Sequence, residues 1–306
     1  MDYETVFERG DHAVISGVKN FSIKQTFESG QSFRFYKKSD THYILVAHSK
    51  VIELVQENDE IHIFNTNKKE VEDVWIDYFD LERDYSCIKE KLSDDSLLKK
   101  SIEFGEGIRI LNQDPFEILI SFIISARNNI PSIMKTINKI SEKWGNKIEY
   151  KGETYYTFPT IMQIKDASLD EIKETGASFR SKYILDTIGK IYSSYVNEND
   201  LSDEEEIQKY DLNYIKNLND DECHKALQEF KGVGSKVADC VMLFSMQKHS
   251  AFPVDVWVKR AMIHFYGASD VSLNKIRIFG RDKFKTLSGF AQQYLFYYAR
   301  ENKIKL

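Results

Sequence analysis

Between residues 12 and 66 the chain reads as strands, and from about residue 69 its apolar positions recur at helical spacing. YILVAHS (43–49), KVIELVQ (50–56) and EIHIFNT (60–66) mix alternation with β-branched and aromatic residues, and polar turns such as ENDE (57–60) break them. That pattern predicts an antiparallel sheet of several strands. KKEVEDVWIDYFDL (68–81) and SDDSLLKKSIEF (93–104) carry the helical period. Beyond NQDP (112–115) the chain reads as almost wholly helical. Pro115 takes a favourable first-turn position. The run up to Ile124 is apolar enough for a central buried helix, and Pro131 either breaks it or starts the next. Further helices are expected at 168–175, 180–195, 220–230, 235–247, 256–266 and 289–302. No repeat or low-complexity linker interrupts the order. The expectation is an α+β protein, with an N-terminal α/β domain over 1–112 and a helical region over 113–306.

Composition narrows the class. The 306 residues, 42% hydrophobic and 13% aromatic, are enough for a sizeable core. No apolar run reaches membrane-spanning length, and MDYETVFERGDH is too acidic and polar for a signal peptide, so an intracellular protein is expected. Cys87, Cys223 and Cys240 are too few and too scattered for a disulfide framework, a four-cysteine zinc site or a four-cysteine iron–sulfur cluster. The net charge of −6 argues by itself against nucleic acid. The charge is uneven, however. Acids crowd into NENDLSDEEE (197–206) and NDDE (219–222), whereas 274–306 is mostly basic. Each run reads most simply as a solvated face. Binding nevertheless feels the nearby field more than the total, so a local basic surface fits an acidic chain.

DDECHKALQEFKGVGSKVADCVMLFSM (220–246) reads as helix, tight G-x-G turn, helix. Glycines at 232 and 234, bracketing Val233, permit positive φ and close backbone approach. The turn amides and the next helix N-terminus form a ready phosphate cradle. The same spacing also fits an ordinary helix–helix connection. AFPVDVWVKRAM (251–262) follows, and Asp255 is placed to cap the helix after it. A lysine at one helix start and a capping aspartate 19 residues on are more telling together than either alone.

The chain resembles the helix–hairpin–helix DNA glycosylases with the Gly/Pro-rich loop and aspartate, the HhH-GPD superfamily, and most closely its eukaryotic-type 8-oxoguanine DNA glycosylase/AP lyases. The resemblance runs through SGQSFRF (29–35), WIDYFDLERDY (75–85), GIRILNQDPFEILISFIISARNNI (107–130), GASFRSKYI (176–184), HKALQEFKGVGSKVADCV (224–241), FPVDVW (252–257) and GFAQQYLF (289–296). It implies a TBP-like antiparallel-sheet domain followed by an all-α glycosylase region, with the active-site cleft between helical subdomains. It implies a DNA repair enzyme that excises 8-oxoguanine from duplex DNA and nicks the strand, acting as a monomer with no cofactor and no iron–sulfur cluster. Its place of work would be the cytoplasm and nucleoid of a prokaryote or the nucleus of a eukaryote.

Each role then has a chemical reason. The target base must leave the stack before its glycosidic bond can be reached. Asp255 would stabilise the positive charge left on the sugar, and Lys236 would attack C1′ to form a Schiff base. Only roughly one free lysine in a thousand is neutral near pH 7. A helix N-terminus favours the neutral form by about 0.3–1 kcal/mol, whereas burial shifts lysine by up to about 3–5 pH units. An inward-facing Lys236 in an apolar pocket is therefore expected, the alternative being a surface lysine on phosphate. Cys240 lies four residues after Lys236, and Phe296 four after Gln292, each pair on one helix face. The resemblance has Cys240 and Phe296 sandwich the base, Gln292 hold its Watson–Crick edge, and Phe244 and Pro253 line the pocket. The Gly30 carbonyl would accept from N7, a donor in 8-oxoguanine and an acceptor in guanine. The carbonyls of Gln228, Phe230 and Val233 could hold a structural cation, and no catalytic metal is implied.

The departures concern DNA contacts. Trp257 stands where the family carries a phosphate-contacting histidine, and Lys231 replaces a proline before Gly232, Val233 and Gly234. Arg127 replaces the first of three asparagines, keeping Asn128 and Asn129. Ser132 sits where an arginine reads the base opposite the lesion. Phe179 replaces a tyrosine wedge, beside a retained Arg180. A weak preference for the opposite base is expected. The rival readings are another glycosylase specificity and a non-catalytic helix–hairpin–helix DNA-binding protein.

Overall fold

The computed structural model describes residues 1–197, 208–267 and 271–304. Past its first residue, the acidic run at 197–206 lies outside the described residues. The chain forms two compact units. One comprises 1–45, 52–112 and 247–306, and the other 46–51 and 113–246. Residues 247–306 share a compact unit with the N-terminal residues.

In the first unit, six strands form a sheet in the order β1-β2-β6-β5-β4-β3. They are β1 (Thr5–Arg9), β2 (His12–Ser16), β3 (Phe35–Lys37), β4 (His42–Ala47), β5 (Lys50–Glu57) and β6 (Glu60–Phe64). The register is antiparallel: Val14 faces His62, Leu54 faces Ile63 and Phe35 faces Leu45. His48 and Ser49 both take positive φ at the β4–β5 turn, as a two-residue hairpin matching strand twist requires. β1 escapes the alternation rule because TVFER buries only Val6. Asp84 and Asp95 cap the helices Tyr85–Leu92 and Ser96–Phe104. The C-terminal helix Ser288–Glu301 packs on Ser96–Phe104 and on Val256–Tyr266. Its Phe290 meets the Tyr85 ring edge-on at 5.4 Å.

A buried ion pair lies in this core. Arg109, fully enclosed, donates to Asp2 at 2.7 Å, to the Phe79 carbonyl at 2.9 Å and to the Asp80 carbonyl, and stacks on Tyr85. Asp2 also accepts from the Tyr85 amide at 3.0 Å. Each of the three guanidinium nitrogens thus has an oxygen acceptor, which a buried charge requires.

The second unit is built on Pro115–Ser125. Asp114 caps it by accepting from the Glu117 amide at 2.8 Å, and Pro115 stands in the first turn. Residues 118–124 are all buried, as its uniform apolarity predicts. It packs against Ile130–Trp144 and Ser235–Ser245. Pro131 starts the Ile130–Trp144 helix and breaks nothing. The region is not wholly helical: β7 (Lys147–Tyr150) and β8 (Glu153–Tyr156) make a short hairpin turning at Lys151 and Gly152. The basic C-terminal stretch spends part of its charge internally, Lys283 pairing with Asp95 at 2.9 Å and Arg277 being buried.

Candidate active site

The G-x-G turn joins the helices Asp220–Leu227 and Ser235–Ser245. Asn219 caps the first by accepting from the Glu222 amide at 3.0 Å, with three acids in the first turn. His224 then ties the pair together: its Nε2 lies 3.3 Å from the Ser235 carbonyl and 3.5 Å from the enclosed Asp239 carboxylate. The two glycines differ. Gly232 has φ +84°, and a Cβ there would fall 2.5 Å from the Tyr183 ring. Gly234 sits in extended backbone, φ −95° and ψ −178°, with open space around it. Only the first needs positive φ. The second is the N-cap of a helix with no side-chain cap, so its first-turn amides remain available to an anion. Phe230 accepts from the Val233 amide at 3.1 Å and keeps a second lone pair. Lys231 pairs with Asp186 at 2.9 Å.

Lys236 is half-buried, its amine 5.0 Å from the centre of the Phe122 ring. The nitrogen lies over an aromatic face, an arrangement that tolerates partial exposure. Phe122 in turn stacks on Phe244, centroids 5.5 Å apart and planes 21° apart. Lys236, Cys240 and Phe244 follow at four-residue intervals on one helix face, the last two each 3% exposed. Phe122 did not stand out in the sequence because most of its neighbours in the helix are also apolar.

The segment 126–132 is braced from below. Arg180, buried, donates to the carbonyl of Ala126 at 2.8 Å and of Arg127 at 3.0 Å. Its guanidinium covers the Phe179 ring, which is half exposed. Asn128 donates to the Ile124 carbonyl at 3.2 Å, and Asn129 caps the next helix by accepting from the Ser132 amide at 3.0 Å. Arg127 and Ser132 are exposed, Arg127 at φ +52°. Arg180 is therefore a brace for this segment through its internal bonds.

In the other unit, Asp255 caps Val256–Tyr266, its Oδ1 accepting from the amides of Trp257 at 2.9 Å and Val258 at 2.8 Å. Pro253 just before it is buried. Arg260 lies 4.8 Å over the Trp257 ring, so a cation accompanies the uncharged indole. Gly30 has φ +78°, and a Cβ there would fall 3.2 Å from Phe296 and 3.3 Å from Arg300. Gly30 and Phe296 are thus brought together. Gln292, one turn before Phe296, is 4% exposed, and its Oε1 is buried with no hydrogen-bond partner among the described residues.

Comparison with known proteins accounts for this arrangement. Residues 13–119 match the 8-oxoguanine DNA glycosylase N-terminal domain, and residues 120–279 the HhH-GPD superfamily of base excision DNA repair proteins. An N-glycosylase/DNA lyase OGG1 from Arabidopsis thaliana is 30% identical, over 90% of this chain and 76% of its own length. A probable N-glycosylase/DNA lyase from Methanothermobacter thermautotrophicus is 29% identical, over 78% of this chain and 76% of its own. The crystal structure of Clostridium acetobutylicum 8-oxoguanine glycosylase/lyase, in complex with double-stranded DNA containing cytosine opposite 8-oxoG, is 54% identical. It superposes with a TM-score of 0.92 over 99% of this chain and all of its own. With both of its regions matched in order, and its hairpin, lysine and aspartate on the helix starts described above, the chain belongs to the HhH-GPD superfamily of base excision DNA repair proteins and, within it, to the 8-oxoguanine glycosylase group.

Proposed function

We propose that this protein is a bifunctional DNA glycosylase and AP lyase that takes 8-oxoguanine out of duplex DNA and nicks the strand. The observation that carries the reading is the Gln292 Oε1, a buried acceptor without a partner among the described residues, one turn from the half-buried Phe296 ring. Such an atom costs about 1–3 kcal/mol until a donor reaches it. The donors on the Watson–Crick edge of a guanine-type base are the ones that fit a purine stacked on Phe296. The family resemblance assigns contacts with the base to Cys240, Phe244 and Pro253 as well. The carbonyl of Gly30 accepts the N7 proton that only the oxidised base carries.

The C1′–N9 bond breaks and the base departs with the electron pair. Asp255 stabilises the charge left on the sugar. The Lys236 amine bonds to C1′, the sugar ring opens to a Schiff base, and loss of a C2′ proton expels the 3′ phosphate. Amine and carboxylate suffice for these steps, so no cofactor or cluster is assigned. Gly232, Val233 and Gly234 hold one backbone phosphate through amides, and Trp257 is assigned a DNA-backbone contact of its own. A cation on the carbonyls of Gln228, Phe230 and Val233 would only stiffen the turn. The protein works as a monomer where the genome is, in the nucleoid or the nucleus. No helix among the described residues is long and apolar enough to cross a membrane.

Arg127, Asn128, Asn129 and Phe179 face the strand opposite the lesion. A good bidentate side-chain pair supplies about 1–3 kcal/mol of base discrimination. Ser132 cannot make one, and the Arg180 guanidinium is already bonded to backbone. Excision should therefore vary little among duplexes with C, A, G or T opposite the lesion, and a cytosine preference of several hundredfold would refute this. Incubation with an 8-oxoguanine duplex and borohydride should trap a covalent adduct that Lys236→Gln abolishes and a guanine duplex does not form. Absence of adduct and of free 8-oxoguanine would sink the reading.

A further inference from the structure

The helix Ser288–Glu301 does more than present Gln292 and Phe296. Gln293, 2% exposed, donates from Nε2 to the carbonyl of Ser29 at 3.0 Å. Arg300 donates from Nη2 to the carbonyl of Glu28. Its guanidinium carbon lies 5.2 Å from the Phe296 ring centre, and its Nη1 is 3.3 Å from where a Gly30 Cβ would be. On the far side of Gly30 stands Gln31, fully buried. It donates to the carbonyls of Arg109 at 2.7 Å and Thr26 at 3.1 Å, and accepts from the Leu111 amide at 2.9 Å. The peptides flanking Gly30 are thus anchored from both sides, and one of the two anchors is the helix that holds the base.

From this geometry we infer that Gln293 and Arg300 are positioning residues for lesion discrimination: they fix the Gly30 carbonyl at a set distance from Phe296 and Gln292. The inference rests on the reading of Gly30 as the N7 acceptor. A helix is stiff along its length, so one element sets the ring that stacks on the base, the amide that meets its edge and the backbone that reads its oxidised side. Gly30, at φ +78°, has no side chain to hold its own peptide. Without the clamp that peptide is free to rotate, and guanine, whose N7 lone pair the carbonyl repels, loses its penalty.

The test separates base removal from strand nicking, because a preformed abasic site carries no base for Gly30 to read. Gln293→Leu keeps the volume and removes the donor; Gln293→Glu is nearly isosteric and also loses it. Arg300→Met keeps the stem, and Arg300→Lys restores a cation. Displacement of a reading group by about 1 Å costs on the order of 100-fold. Single-turnover excision of 8-oxoguanine should fall about 10–100-fold in Gln293→Leu and Arg300→Met. Nicking of an abasic duplex should stay within about twofold, and the affinity ratio between 8-oxoguanine and guanine duplexes should shrink. Arg300→Lys should recover part of the loss. Should Gln293→Leu not fold, Gln293→Glu and Arg300→Met carry the same reading. Excision at the wild-type rate, or equal loss of excision and nicking, overturns the inference. Wild-type protein that nicks abasic DNA yet leaves 8-oxoguanine in place would instead overturn the assignment of Gly30, and the clamp's role with it.

Discussion

Replacing Gly232 by alanine should damage the hairpin, while a substitution two residues on should not. At φ +84° an L-residue pays about 1–2 kcal/mol. Its Cβ would lie 2.5, 2.6 and 3.0 Å from the Cδ2, Cγ and Cβ of Tyr183, closer than carbon atoms approach. Relieving that overlap means moving the ring or the turn, and overpacking of this kind costs about 1–3 kcal/mol. The sum is about 2–5 kcal/mol. At about 2–4 °C per kcal/mol for a domain of this size, the melting temperature should drop by about 4–20 °C. Gly234→Ser is the control, because its backbone is extended, its surroundings are open, and serine is favoured over glycine at an N-cap. It should shift stability by less than about 0.5 kcal/mol. Thermal and urea melts of both variants check the contrast. Binding to undamaged duplex over a salt series adds a functional reading: Gly232→Ala should weaken binding at every salt concentration while leaving the slope nearly unchanged, because the lost contact is an uncharged amide. Equal melting of the two variants, or a Gly232→Ala melt within a degree of wild type, would refute the argument.

Three further outcomes are expected. Asp2→Ala leaves the enclosed Arg109 charge without its carboxylate and should cost about 3–5 kcal/mol in urea unfolding; a loss under 1 kcal/mol would contradict the buried pair. Phe122→Leu removes the face beneath the Lys236 amine and should slow borohydride trapping about 3–10-fold with only a small change in melting; unchanged trapping would show that the ring does not place the amine. Burial alone would raise the Asp186 carboxyl, but the ammonium groups of Lys231 and Lys190 outweigh it and hold it below the usual carboxylate range. A depressed carboxyl stabilises the fold above its unfolded pKa and loses that contribution as pH falls through its folded one. Asp186→Asn should therefore cost about 0.2–1 kcal/mol at pH 7. The difference from wild type should fade as pH drops below about 4, and a constant difference down to the lowest pH reached would refute it.

Much of the fold was legible where buried runs are long and bounded by polar turns. β4, β5 and β6 each bury three or four consecutive residues, and the Pro115–Ser125 helix buries 118–124 without a break. β1 and the β7–β8 hairpin were not, because each of these strands buries at most one residue. The grouping of 247–306 with the N-terminal residues was hidden because pairing across such separations leaves no local trace. The same reason conceals Gln293 and Arg300, whose partners lie 264 and 272 residues away and are backbone atoms that any residue would offer. Lys236, Asp255, Gly30 and Gln292 stood out because their proposed chemistry demands a particular residue type in a recognisable neighbourhood. Which of Gly232 and Gly234 bends the chain was not legible, because G-x-G names two glycines alike.

The first unit is interrupted in sequence, leaving off at 112 and resuming at 247. During synthesis its sheet and early helices must wait for more than a hundred intervening residues before Phe290, Tyr294 and Leu295 arrive to cover them. At about 5–20 residues per second that is a delay on the order of ten seconds or more. Over that interval the surfaces around Tyr85 stay wet and adhesive, whereas residues 113–246 are contiguous and can close as soon as they emerge. The nascent protein is thus most vulnerable to clumping in its N-terminal third, and substitutions in the last helix should lower the yield of soluble protein before they touch catalysis.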